Sequence, residues 1–441
     1  MPCLARSDIL CRNSVSFIVP FIVEAHGFTE AEAAMLLAGF FPGYVVTQIP
    51  AGLIARSVGE KALTTVNICA NAVFFCLLPA AASLGAGPLA VCLTTMGLFQ
   101  GTIVPCIVGL QVYWLPKDGK EKIWASRSLP LGSVVAQILA SALTPRLATS
   151  AMGWRRVAYT YGSANAIFAV IWAALAADRP RKWHGPPAMR DEELAMLEAS
   201  SPDTCNAKPT DDSTNAVAVK RKPLGVLDLM RVPAARGCCC SAFAIGTLVY
   251  TLTPRAPSYY MRTLGVSPMR TGQLLALPPI MMQVTDLLTG ALESLLLSRG
   301  WDQLDVRKLI SCAGMILGGL GLIAFANAKT AAGATLCHCL ASATVSVHGS
   351  GYGATYREVG GADATLLSSL ANTCANIPGF LSPMFSLAVQ QRAGRRWSFA
   401  WPAVTLVLGS IMYARTASLE TARDTLDRVD ARLGQFSTEE S

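Results

Sequence analysis

Charged side chains are scarce inside the apolar runs of this chain, so the few that occur there carry most of the chemical information. Arg12 lies about halfway along the first apolar run. A guanidinium in hydrocarbon costs on the order of 2.5–3.5 kcal/mol, so it must point to a cavity or a partner, or else reach the interface from near a helix end. Turned inward, it could hold an anionic group through two parallel hydrogen bonds, which lysine cannot copy. Arg255 and Asp286 sit in two later apolar runs. They read either as a second anion contact with a charge partner or protonation site, or as an ion pair that packs or gates helices. Tyr44, Gln48, Gln100 and Asn372 place neutral donors and acceptors on three separate runs. Such groups suit the wall of a polar cavity, or hydrogen bonds between helices.

Catalytic chemistry finds no such support. His26, His184, His338 and His348 have no catalytic spacing, and no HExxH, GxSxG or phosphate-binding loop occurs. Cys337-His338-Cys339 brings three metal-binding residue types together, but neighbours on a helix point about 100° apart and do not converge on one ion. An enzyme, a metal and a cofactor are therefore not expected. Most of the fourteen cysteines lie in apolar runs, where thiols behave as small hydrophobes. Cys238-Cys239-Cys240, at the start of a helix, suits packing or palmitoylation. No basic run interleaves with aromatics, so nucleic acid is not an expected partner.

The elements that would position these side chains are membrane helices. The 441 residues are 52% hydrophobic and only 15% charged, with a mean hydropathy of +0.42. Soluble domains carry about 25% charged residues, and here the deficit runs along almost the whole chain. The lipid bilayer is the expected surrounding medium. Twelve apolar segments lie near 4–24, 31–55, 61–84, 88–112, 123–148, 154–177, 234–262, 269–298, 305–328, 331–356, 362–390 and 397–416. Most are about 20 residues long or more, enough to cross the hydrocarbon core. No cleavable signal or transit peptide is read at the start.

Residues 178–233 break this pattern with proline, charge and Ser/Thr. They are expected to be a cytoplasmic linker between an N-terminal six-helix half, 1–177, and a C-terminal one, 234–416. Within the linker, Met189–Ala199 reads as a short amphipathic helix, and the stretch after Thr204 as disordered. Residues 417–441 read as a solvated cytoplasmic tail helix. Loop charge sets the orientation. With both termini cytoplasmic, the inner loops collect Arg56, Lys61, Lys117, Lys120, Lys122, Arg127, the ten basic residues of 179–236, Arg299, Arg307, Lys308 and Arg357. The outer loops hold fewer, among them Arg146, Arg270, Lys329, Arg392 and Arg396.

The halves echo each other: LPLGSVVAQILASALTP in 123–148 and LLSSLANTCANIPGFLSPMF in 366–385 are both rich in small residues, glycine and proline. Six helices, a long linker and six related helices resemble the major facilitator superfamily. Several stretches resemble one branch of it, the anion:cation symporters. Residues 39–61, GFFPGYVVTQIPAGLIARSVGEK, are similar to that branch's second-helix pattern, and residues 97–116, GLFQGTIVPCIVGLQVYWLP, to its fourth-helix stretch. Gly153-Trp154, Tyr161-Gly162-Ser163, Pro257-Ser258-Tyr259-Tyr260, Leu277-Pro278, Ser298-Arg299-Gly300, Val306-Arg307-Lys308, Ser350-Gly351 and Asn372-Thr373 follow in order.

The resemblance implies an all-α membrane protein of twelve transmembrane helices in two pseudo-symmetric halves, moving a small anionic solute by alternating access. It further implies Arg12 as a solute contact, Tyr44, Gln100 and Asn372 on helices that line the cavity, and a proton or sodium ion as co-substrate where coupling is kept. Arg255 and Asp286 are not what the branch has at those places; Arg255 is expected to restore the second anion contact and Asp286 to be a relocated coupling or charge partner. The departures bear on that last point. Cys11, Gln100, Arg56 and Ser294 stand where the branch has acids, and Leu93 where it has a second arginine. Their loss favours a facilitator or exchanger, and leaves a non-transporting receptor or scaffold as the rival reading. Leu93, Met96 and Gly97 share a helical face with Gln100, and that largely apolar face would suit a less charged solute.

Overall fold

The computed structural model describes residues 7–29, 32–33, 35–36, 39–115, 128–183, 191–199, 224–394 and 396–439. Every regular element among them is helical. The chain divides into two compact units, one of residues 1–118 and 128–218, the other of residues 119–127 and 219–441.

The first unit contains α1 (Ser7–His26), α2 (Phe40–Val58), α3 (Glu60–Ser83), α4 (Ala86–Gln100), α5 (Ile103–Trp114), α6 (Ser128–Ala148) and α7 (Trp154–Leu175). It ends in a short α8 (Asp191–Ala199). The fourth span is thus α4 and α5 in succession, interrupted at Gly101 and Thr102 just before Pro105. The second unit begins with α9 (Val226–Arg231) and α10 (Pro233–Ser258), the latter running on through a π turn at Tyr259–Thr263. There follow α11 (Pro268–Leu275), α12 (Leu277–Ser298), α13 (Gln303–Asn327), α14 (Ala331–Val347) and α15 (Tyr352–Gly360). The unit closes with α16 (Ala364–Asn376), α17 (Pro378–Ala393), α18 (Trp397–Thr416) and the tail helix α19 (Ala422–Glu439). Among the described residues, seven helical stretches are long and apolar enough to cross a membrane on length and composition alone, and α1, bent by 45°, makes an eighth if counted as one span. Of the other expected segments, 31–55 and 123–148 fall mainly on the continuous α2 and α6, whereas 331–356 and 362–390 fall on helices broken at His348–Gly351 and at Ile377-Pro378.

Lipid offers little hydrophobic drive for helices to associate, so their packing must come from close approach. The α2–α4 crossing shows how. A Cβ on Gly43 would collide with the carbonyl oxygen of Thr94, and one on Gly97 with that of Phe40. Thr94 also donates a hydrogen bond across the crossing to the Gly39 carbonyl oxygen at 2.7 Å. In the second unit a Cβ on Gly246 of α10 would collide with the Ala375 carbonyl of α16. The outward faces carry large exposed apolar side chains, among them Val73, Ile167, Val170, Leu317, Leu320 and Leu408.

Polar ties secure the helix ends. Gly59 turns between α2 and α3 with φ +91°, and the Asp178 carboxylate accepts the Lys61 backbone N–H at 2.6 Å, capping α3. Arg179 lies over the Tyr113 ring, and the Trp114 indole donates to the Ala177 carbonyl at 3.0 Å. In the second unit Arg307 pairs with Glu358 at 2.6 Å. Arg307 is only 1% exposed, so it is not the free loop cation that the charge count assumed; its charge is absorbed inside the unit. The tail is not simply solvated either: Arg423 on α19 holds Asp363 at 2.7 Å. Asp191–Ala199 is helical, as read from Met189–Ala199, whereas the stretch after Thr204 up to 223 lies outside the described residues.

Candidate functional site

Of the sequence-derived candidates, Arg12, Tyr44, Gln48 and Gln100 fall in the first unit and Arg255, Asp286 and Asn372 in the second. In the first, α1 carries Arg12 against the start of α2. Its guanidinium carbon stands 4.7 Å from the Phe40 ring centroid, 5.4 Å from Phe41 and 4.9 Å from Tyr44. Arg12 is half-buried and makes no ion pair among the described residues. Phe40 and Tyr44 stack at 5.5 Å, because i and i+4 share a helix face. Ring faces hold a cation while leaving its N–H edge to a second ligand. Arg12 and Tyr44 therefore form one assembly. Cys11, where the related branch has an acid, is buried and accepts a hydrogen bond from the Asn165 amide at 3.4 Å.

Gln100 is placed differently. It is 1% exposed, and its amide donates to the Asn71 side chain at 2.7 Å; Asn71 in turn donates to Asn67 at 2.6 Å. The sequence reading missed both asparagines, although Asn67 and Asn71 sit one turn apart in an apolar helix. Leu93 and Met96 belong to the apolar core of the unit, and Gly97 meets the α2 backbone. The face expected to admit a weakly charged solute is consequently filled by helix packing. Gln48 is fully buried with neither amide atom hydrogen-bonded.

In the second unit Arg255 and Asp286 do not form the pair the sequence suggested. Arg255 hydrogen-bonds Gln390 on α17 and lies 5.5 Å from the Phe399 ring centroid; its Nη1 is buried without a hydrogen-bond partner. Asp286, 1% exposed, faces away from lipid, toward Gly349 at the break between α14 and α15. Seven residues on, and about 10.5 Å along the same face, Glu293 is 6% exposed and accepts a hydrogen bond from the Ser350 hydroxyl. Glu293 is not among the sequence-derived candidates. The test that singled out Asp286, an acid inside an apolar run, applies to it equally. Asn372 lies beside Asn376, whose side chain donates to the Asn372 carbonyl at 2.7 Å and accepts the Tyr250 hydroxyl at 2.5 Å. Tyr250 and Asn376 extend that candidate onto the α10–α16 contact.

Two units of glycine-packed apolar helices, with the half-buried Arg12 in the first and buried Asp286, Glu293 and Arg307 in the second, define a polytopic membrane protein. The match to the Major Facilitator Superfamily spans residues 7–383, and the chain belongs to that family. Its relatives are those of the anion:cation symporter branch, at low identity. A chloroplastic ascorbate transporter of Arabidopsis thaliana is 24% identical over 427 residues, covering 95% of this chain and 74% of the relative. Human sialin is 26% identical, covering 87% and 75%. A probable vesicular glutamate transporter of Caenorhabditis elegans is 26% identical, covering 90% and 67%. Among solved structures, a proton:xylose symporter aligns with a TM-score of 0.68 at 14% identity, over 96% of this chain and 97% of its own. The Escherichia coli fucose:proton symporter aligns at 0.61 and 16%, over 95% and 98%. At such identity these two likenesses are of fold alone.

Proposed function

We propose that the protein is a secondary transporter of a small organic or inorganic anion, working by alternating access, with Arg12 as the principal anion contact. The observation that carries this reading is the aromatic cradle: Phe40, Phe41 and Tyr44 hold the guanidinium within the membrane-spanning unit with no acid paired to it among the described residues. A positive charge held that way suits an arriving carboxylate or phosphate. The names of the relatives, transporters of ascorbate, sialic acid and glutamate among them, support the same class. Arg255, with one guanidinium nitrogen unsatisfied, is the second anion contact. Tyr44, Gln100 and Asn372 are further candidate contacts.

Loss of the branch's acids at positions 11, 56, 100 and 294 argues for facilitated or exchange transport. Asp286 and Glu293 support the other reading, coupling to a proton, because buried membrane carboxylates are the usual proton carriers. Both termini are proposed to be cytoplasmic, from the loop charges.

The test is uptake into proteoliposomes from a panel of labelled anions, with and without a pH gradient, for the native protein and Arg12→Ala. Uptake lost in Arg12→Ala supports the proposal, and a response to the gradient selects coupling over facilitation. Folded protein that takes up none of the anions would leave the non-transporting receptor or scaffold as the better account.

A further inference from the structure

The second unit holds a cavity of about 570 Å³ at the end of α10 remote from its start at Pro233. Three connections meet there: the π turn after α10, the α13–α14 loop and the α17–α18 loop. Its walls include Tyr259, Thr263, Lys329, Gly394, Arg396 and Trp397, and no carboxylate lines it. Lys329 and Arg396 are both exposed, and neither forms an ion pair among the described residues. Two cations facing one volume without a counter-charge raise the local positive potential, and a low-dielectric wall strengthens it.

The cavity is built, not incidental. The Tyr259 hydroxyl donates to the Ala328 carbonyl at 2.8 Å, pinning the loop that presents Lys329. The Tyr259 ring packs on Phe325 at 4.7 Å and edge-on to Phe399 at 6.4 Å, giving a firm aromatic floor. Gly394, at φ +88°, makes the turn that presents Arg396 and Trp397. Trp397 is 62% exposed at the rim. A volume of this size suits a small-molecule ligand or a lipid headgroup.

We propose that this cavity is an anion-binding site, separate from Arg12, that takes a phosphate or carboxylate group against Lys329 and Arg396. The bearer is either a free solute anion or the headgroup of an anionic lipid, since both connecting loops lie at an end of membrane-crossing helices. Arg255 lies one turn before Tyr259 on α10, and its guanidinium shares Phe399 with that ring, so an anion held here stands next to the second proposed solute contact. Anion binding at the cavity does not depend on the transport reading.

The experiment uses full-length protein and reads binding, not transport. Labelled inorganic phosphate is titrated onto protein in phosphatidylcholine nanodiscs at low ionic strength. In parallel, retention of phosphatidylglycerol against phosphatidylcholine is measured on protein purified in detergent. The variants are Lys329→Gln with Arg396→Gln, Lys329→Arg alone, and Arg12→Ala. Both cavity cations are exposed, so the double variant should keep its thermal midpoint. The expected result, read in the Arg12→Ala background so that phosphate held at Arg12 does not enter, is a loss of affinity of roughly tenfold per cavity cation removed, kept binding in Lys329→Arg, and weakening with added salt. Cation-dependent loss in the phosphate arm alone identifies a free anion; loss in the lipid arm alone identifies a headgroup. No binding in either arm, or binding indifferent to the double variant, overturns the proposal. Because Arg12→Ala is read alongside, failure of the Arg12 reading leaves this result interpretable.

Discussion

At the scale of single residues, Arg12 is distinguished from an ordinary interfacial arginine by what surrounds it. Three ring faces fix the cation and leave its forked edge for a ligand. Arg12→Lys keeps the charge but loses the fork, so we expect KM for the transported anion to rise about tenfold or more with the protein still folded, measured by concentration-dependent uptake. On the proposed coupling, Asp286→Asn and Glu293→Gln should abolish the response of uptake to a pH gradient while leaving exchange in place; an unchanged response would return the facilitator reading. A surface pair gives a pH effect of defined sign. Glu198 is held below the ordinary carboxylate value by its hydrogen bond from Arg181. The depressed value means the tie is fully present above the ordinary value of 4.5 and is lost as pH falls through the folded one. The protection of the amides of residues 191–199, taken relative to their intrinsic exchange rate at each pH, should therefore fall only in that acid range, and not between pH 6 and 8.

At the scale of elements, most helices could be read from apolar length, and their ends from glycine and basic residues. Residues 397–416 agree to the residue with α18, and 154–177 and 305–328 agree within two with α7 and α13. Side-chain direction could not be read. Periodicity puts Leu93, Met96, Gly97 and Gln100 on one face but does not say whether that face meets a cavity or another helix, and here it meets α2, α3 and the core. Nor could the sequence show that Arg307 turns inward to Glu358 or that Asp178 reaches back to cap α3, since both partners are distant in the chain. These ties carry their own expectations. Arg307→Ala breaks the buried Arg307–Glu358 pair and should cost about 3–5 kcal/mol, as for other broken buried pairs, read as a fall in thermal midpoint in detergent. Gly97→Ala forces α4 away from α2; overpacking typically costs about 1–3 kcal/mol, and the clash with backbone puts this site at the upper end.

At the scale of the whole molecule, the legible part was composition. The charge deficit, the break at 178–233 and the ordered run of weak motifs together indicated the superfamily, and the match over residues 7–383 shows it. The location of acids was the poorest inference. Comparison with the branch pattern counted acids lost at positions 11, 56, 100 and 294, while the second unit holds two buried carboxylates, Asp286 and Glu293, on one helix face. The orientation is testable directly. Protease added to inside-out vesicles should cleave within 200–223 and remove the C-terminal tail, whereas protease added to intact cells should do neither; cleavage from outside would reverse the proposed topology.

The glycine crossing of α2 and α4 has a bearing on how this protein would look in a deep mutational scan. Positions 43 and 97 touch no ligand in the proposed mechanism, yet neither backbone leaves room for a single added methyl group. A fitness map would mark both as intolerant of every substitution, beside Tyr44, which the mechanism does use. Intolerance alone would then draw the binding surface too wide, and would place its centre in a joint that only holds two helices together. Sorting variants by surface expression before scoring uptake would separate the joint from the site.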